Sequence, residues 1–234
     1  MTVTGTRLVL LPPVLLFQPH GYHDTSCAPG SGFHELYSIW PPVKHDIAVV
    51  FIHLGEFSAV VQHYAGATCG PVVLDLLGDS RNLVHHQLLS LPDENDAPEL
   101  IFECQGQNIH QNELSQEIYL TCRLSAILYA VHVTFPIPRS RSPAQTILKA
   151  LCPRIERLCA RNASQPLLVW CVAVVISVLG ESSPDSLIMY MTYLSHTVGV
   201  DTVPKLMALL QSFAWVDAAV GNCWKDMWAR IFRQ

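Results

Sequence analysis

The sequence predicts an all-α fold, an irregular multi-helix domain with a buried central helix. Three observations carry that expectation. Apolar residues recur at three- and four-residue intervals in one segment after another, the spacing of a helix face. No run alternates apolar and polar residues between hairpin turns, as a half-buried strand would. Half of the residues are hydrophobic and only 14% are charged, so many side chains must be buried on more than one side, which layered helices achieve.

Residues 1–42 read as an irregular, proline-rich lead-in, with Pro12, Pro13, Pro19, Pro29, Pro41 and Pro42 among Gly21, Gly30 and Gly32. Residues 43–234 read as the helical domain. From Asp46, the residues Val49, Ile52, Leu54, Phe57, Val60, Val61 and Tyr64 mark a first helix, stopped by Gly66 and Gly70-Pro71. A second covers Val72 to Leu91, with Leu76, Leu83, Leu88 and Leu89 among its apolar positions. Pro92 to Pro98 is a charged surface loop, and Glu99 to Gln111 fits no element clearly.

Asn112 is placed to cap a helix running to Thr134, with Leu114, Ile118, Cys122, Ala126, Tyr129 and Val133 on one stripe. Leu124, Ile127, Leu128 and Val131 widen that surface, so its second half should be enclosed by other helices. Phe135-Pro136-Ile137-Pro138 ends it. Ser142 then caps a helix with Pro143 in its first position and Gln145 reaching back. That helix carries Ile147, Leu148, Leu151, Ile155 and Leu158, and Pro153 should kink or divide it.

Ser164 is expected to cap the central helix, Leu167 to Gly180, which holds no charge. Its neighbours should be the Cys122–Thr134 and Leu206–Trp215 helices. Ser183-Pro184 starts the next helix, ending near His196 and Gly199. Asp201 or Thr202 caps another, with Leu206, Met207, Leu210, Phe213 and Ala214 facing inward. A last segment after Gly221 carries Trp224, Trp228 and Phe232 at four-residue spacing.

Two apolar runs bear on targeting. Residues 8–17 resemble a signal-peptide core, but Pro12-Pro13 interrupt them and no small-residue cleavage site follows. Residues 167–180 are shorter than the ~20 residues a span requires and read as a core helix. The alternative reading is a membrane-associated or secreted small helical protein that uses both runs.

The charge balance argues against nucleic acid. Fourteen basic residues face nineteen acidic ones, for a net charge of −5, whereas phosphate recognition needs concentrated Lys and Arg. Arg139, Arg141, Arg154, Arg157 and Arg161 form the one local basic group and read as a solvated loop and helix face. Of the eight cysteines, no two are separated by only two residues, so the paired spacing of zinc sites is missing. Cys122 and Cys171 lie in apolar runs and read as small core residues in a reducing compartment. Adjacent His85 and His86 diverge by ~100° on a helix, and His34-Glu35 lacks the second histidine of a metalloprotease motif. His20 and His23 fall in the lead-in. Phe213, Trp215, Trp224, Trp228 and Phe232 read as packing residues. No catalytic, cofactor-binding or metal-ligating residue is assigned, and the chain is not read as an enzyme.

Five segments recur in an order seen elsewhere. His85-His86-Gln87-Leu88-Leu89-Ser90-Leu91 is similar to "hrLLsLp", and Cys122-Arg123-Leu124-Ser125-Ala126-Ile127-Leu128-Tyr129 to "CRLAALIY". Phe135-Pro136-Ile137-Pro138 follows as "xPLP", Gln165-Pro166-Leu167-Leu168-Val169-Trp170 as "hPLLLW", and Phe213-Ala214-Trp215 to Trp228 as the closing "fLW…lW". Together they resemble the C-terminal regulatory region of fungal-specific transcription factors of the binuclear-zinc-cluster class. Val174-Val175-Ile176 stand where that family often has a glycine pair, and Leu187-Ile188 where it has Trp-Phe, so packing there should differ. The family's DNA reader, a six-cysteine zinc cluster, has no counterpart among these cysteines, and the chain is expected to be the regulatory region alone. The resemblance implies a nuclear protein that regulates transcription through protein partners: the transcription machinery, or a second copy of a related factor, a homodimer included. It implies no cofactor, no membrane, and no direct nucleic-acid contact by this chain alone.

Overall fold

The computed structural model describes residues 28–103, 109–134 and 141–220, with residues 228, 231 and 232 beyond them. The all-α expectation is met: the described residues contain no strand, only an isolated antiparallel bridge between Val43 and Phe102. The helices are α1 (Glu35–Ser38), α2 (His45–Tyr64), α3 (Pro71–Leu89), α4 (Pro98–Ile101), α5 (Ile109–Tyr129), α6 (Arg141–Ala160), α7 (Gln165–Leu179), α8 (Asp185–Thr197), α9 (Val203–Ser212) and α10 (Asp217–Val220). A 3-10 turn, Ser31–His34, leads into α1, and a π-helical turn, Ala130–Thr134, continues α5.

The central helix is where the sequence puts it. Every residue of α7 from Leu167 to Ser177 is buried. A helix apolar all round can be stable only if neighbours enclose it, and α7 packs against α5, α6, α8 and α9. Two of those were expected; α6 and α8 complete the ring. By length and composition, α2 and the span Gln165–Ser182 could each cross a membrane. In this fold, α7 is buried from Leu167 to Ser177, and α2 is about half-buried.

Aromatic side chains organise the centre. Trp170 is fully buried and its indole N–H donates to the Ala214 carbonyl at 2.9 Å. It stacks on Phe213 with centroids 6.0 Å apart and meets Phe33 edge-on at 5.0 Å. Each such contact adds ~0.5–1.5 kcal/mol beyond area burial. Beside them, the Tyr129 hydroxyl donates to Ser58 Oγ at 3.2 Å, and Ser58 donates to the Leu54 carbonyl at 2.7 Å, tying α5 to α2. A buried hydroxyl without such a partner would cost ~1–3 kcal/mol.

Several local expectations are corrected. Residues 28–42, assigned to the lead-in, are helical in part and belong to the core: Phe33 and Leu36 are fully buried. Gly30, at φ 79°, lets the backbone cross close over α2, and its N–H donates to the Phe213 carbonyl at 3.2 Å. The inward face of α2 is Ile47, Val50, Phe51, Leu54 and Phe57, whereas Val49, Ile52, Val61 and Tyr64 are only partly buried. The expected helix start at Asn112 comes three residues earlier, at Ile109, and Ser142 lies inside α6 rather than before it. Pro153 does not divide α6, which runs through it to Ala160. A proline removes one ladder hydrogen bond, and buried Leu151, Ile155 and Leu158 hold both halves against the core. Ser164 stands at the cap position of α7 without making a cap bond; its hydroxyl donates to Glu35 Oε2 at 3.3 Å. Thr202 precedes α9 and likewise makes no side-chain cap bond. The Phe135–Pro138 break and Trp224 lie outside the described residues.

Candidate interaction surface

Of the residues that the sequence offered for chemistry, the fold brings Cys122, Cys171 and Cys159 near one another, whereas His85 and His86 stand apart as the fifteenth and sixteenth residues of α3. Cys122 and Cys171 are buried and Cys159 nearly so, and these three are free thiols, as are Cys69 and Cys152. Burial pushes the Cys171 thiol up to about 12 and that of Cys159 to about 11, and raises Cys122 well above its ordinary value. Thiols held protonated are poor nucleophiles and ligands. His85 Nε2 lies 2.8 Å from Thr134 Oγ1, with its pKa lowered by burial and by the nearby Arg81. His86 is exposed. Among the described residues, no three His, Cys, Asp or Glu side chains gather as a metal site.

Within the basic group, Arg157 and Arg161 are exposed as expected, whereas Arg154 departs from the solvated state. Arg154 donates to Glu117 Oε2 and to Glu94 Oε2, both at 2.6 Å, and Arg157 adds a bond to Glu117 Oε1 at 3.2 Å. The side chains of Arg154 and Glu117 are only 15% and 17% exposed. This is a clamp between α5 and α6, and it neutralises the cations that a phosphate would need. A shallow cleft of about 180 Å³ beside it is lined by Glu113, Glu117, Arg157, Leu158 and Arg161. Two acids and two bases line it, so the lining carries no net formal charge. Arg139 and the side chain of Arg141 lie outside the described residues.

The surface that stands out is the first half of α3. Proline in the first turn starts the helix without losing a hydrogen bond, and the apolar residues Val72, Val73, Leu74, Leu76 and Leu77 follow within two turns. The second half of the helix buries Ser80, Val84 and Leu88 against its neighbours, α2 and α5. The first half is covered on one side only: Leu77 packs against the core, while Val72 is 70% exposed, Leu74 56% and Leu76 36%. Val72, Asp75, Leu76 and Asp79 are linked by three- and four-residue steps, so they form one continuous patch, which half-buried Leu83 extends. Scattered exposed apolar residues are ordinary, but clustered ones mark contact sites. Sequence reasoning counted Leu76 and Leu83 among the apolar positions of a helix without foreseeing that they would remain accessible. A run apolar on all sides is the signal of a core helix, and it is the fold that leaves this one protruding.

No family model, no curated protein and no solved structure matches this chain.

Proposed function

We propose that the chain is an all-helical regulatory and interaction module, of the kind found in fungal transcription factors, that acts in the nucleus through protein contacts. The observation that carries the reading is the meeting of three family-like segments. Cys122–Tyr129 on α5, Gln165–Trp170 on α7 and Phe213–Trp215 after α9 come together around Trp170. Their order along the chain and this meeting in the shared core together support the reading. The exposed apolar half of α3 gives such a module a surface for a partner, and the Arg154–Glu117 clamp fits contact with proteins rather than with phosphates.

The test is to fuse the full chain to an unrelated DNA-binding domain and measure a reporter carrying that domain's site. Transcription should change relative to the DNA-binding domain alone, and Val72→Ser/Leu76→Ser should reduce the change. Reporter output equal to that of the bare DNA-binding domain, with the fusion intact and nuclear, would refute the reading.

A further inference from the structure

We infer that the patch Val72, Asp75, Leu76, Asp79 and Leu83 receives a partner helix that is apolar on one face and basic along one edge of it. The inference deepens the proposed function and rests on it for the partner's biological setting, but its physical basis is separate. Apolar exposure states that something could cover the patch; charge states what. Asp75 and Asp79 lie on the rim of Val72 and Leu76, one helical turn apart. Neither carboxylate has an ion-pair partner among the described residues. Stabilisation of acids by the helix dipole does not account for the pair, because it fades within the first turn and these are the fifth and ninth residues of α3. The nearest cation on the helix, Arg81, is turned to Asn82 Oδ1 at 3.3 Å.

An acidic flank beside apolar anchors selects against acidic partners and favours Lys or Arg beside aliphatic side chains. It also disfavours a second copy of the same patch, which would bring Asp75 and Asp79 against their own equivalents. The binding mode is an amphipathic helix laid against an apolar stripe.

The experiment titrates the full chain into a fluorescein-labelled amphipathic peptide of Leu and Lys, with a Leu/Glu peptide of the same pattern alongside, and reads anisotropy. The Leu/Lys peptide should bind at least about tenfold more tightly than its acidic counterpart. Val72→Ser/Leu76→Ser should weaken it by about tenfold or more. Asp75→Asn/Asp79→Asn should weaken it as well and flatten its dependence on salt. Circular dichroism of each variant verifies the fold. Equal binding of both peptides, or binding indifferent to both double variants, overturns the inference. So does a dimer in sedimentation equilibrium that Val72→Ser/Leu76→Ser dissolves, which would make a second copy the occupant, or binding to neutral lipid vesicles through this patch. Peptide binding as expected with a silent reporter refutes the transcriptional reading and leaves the surface standing; an active reporter indifferent to the patch variants does the reverse.

Discussion

Replacing Gly55 by alanine tests the packing of the whole core with one methyl group. Gly55 lies in the middle of α2, where the chain around Gly30 and the chain at Phe213 cross over it. A Cβ there would lie 2.2 Å from the Phe213 carbonyl oxygen and 2.4 Å from Gly30 Cα. Both contacts are backbone, so no side chain can swing away; the crossing must move by about 1 Å to restore van der Waals contact. Overpacking of this kind costs ~1–3 kcal/mol. The shift also strains the bond from Gly30 N–H to the Phe213 carbonyl, adding ~0.5–1.5 kcal/mol. Against this, alanine is favoured over glycine within a helix by ~1 kcal/mol. The net loss is roughly 1–3 kcal/mol, or ~2–10 °C in Tm for a domain of this size. Gly78 is the control, because a Cβ there meets nothing within 4 Å. Gly78→Ala should therefore stabilise by ~0.5–1 kcal/mol. Urea denaturation followed by tryptophan fluorescence measures both. If Gly55→Ala is as stable as the wild type, or shifts in the same direction as Gly78→Ala, the three-way crossing is not as described.

Three further outcomes are expected. Trp170→Ala should cost ~3–5 kcal/mol in urea denaturation, and a loss below about 1 kcal/mol would mean that Trp170 is not the centre of the core. Arg154→Ala should cost ~1.5–3 kcal/mol, the range for hydrogen bonds to charged groups, because both it and Glu117 are largely withdrawn from water; a loss within the ~0–1 kcal/mol of surface pairs would show the clamp to be solvated. Stability should fall at both ends of the pH scale. The folded state raises the thiols of Cys159 and Cys171 from their ordinary 9 to about 11 and about 12, so their contribution is complete below about pH 9 and is lost as pH climbs toward those values. His85 is shifted down from 6.5, so its contribution is present above about pH 6.5 and is lost as pH falls through its lowered folded value. Melting curves that stay level between about pH 8 and about pH 10.5 would contradict the alkaline half.

Apolar repeats of helical spacing mark α2, α3, α5, α6 and α9, whereas α7 shows as an unbroken apolar run and α8 through its Ser183-Pro184 start and its end near His196 and Gly199. What such patterns miss are the places where tertiary contacts override local rules. Residues 28–42 read as irregular from their prolines and glycines, yet Phe33 and Leu36, three residues apart, are the anchors of a short helical wedge. Pro153 reads as a kink or a division because the lost hydrogen bond is local; the helix is not divided, and its packing against α5 and α7 holds it together. Ser164 and Thr202 have the residue types of caps, but a cap bond depends on a side-chain torsion that the sequence does not encode. The α3 patch was legible only as apolarity. Whether an apolar residue is covered is a property of the neighbouring helices and not of the segment.

Phe33 meets Phe213 at 5.2 Å, and that contact has a consequence for biosynthesis. About 180 residues separate the two, and at ~5–20 residues per second a ribosome needs roughly 10–40 s to make them. Throughout that interval the wedge and the inner face of α2 have no Phe213 to close upon, and α7 emerges with apolar side chains on every side before α8 and α9 exist to enclose it. A nascent chain of this kind leaves apolar surface uncovered, and so is open to aggregation, until its C-terminal quarter is complete. Translation slowed shortly before residue 213 would therefore harm yield more than the same delay placed after it.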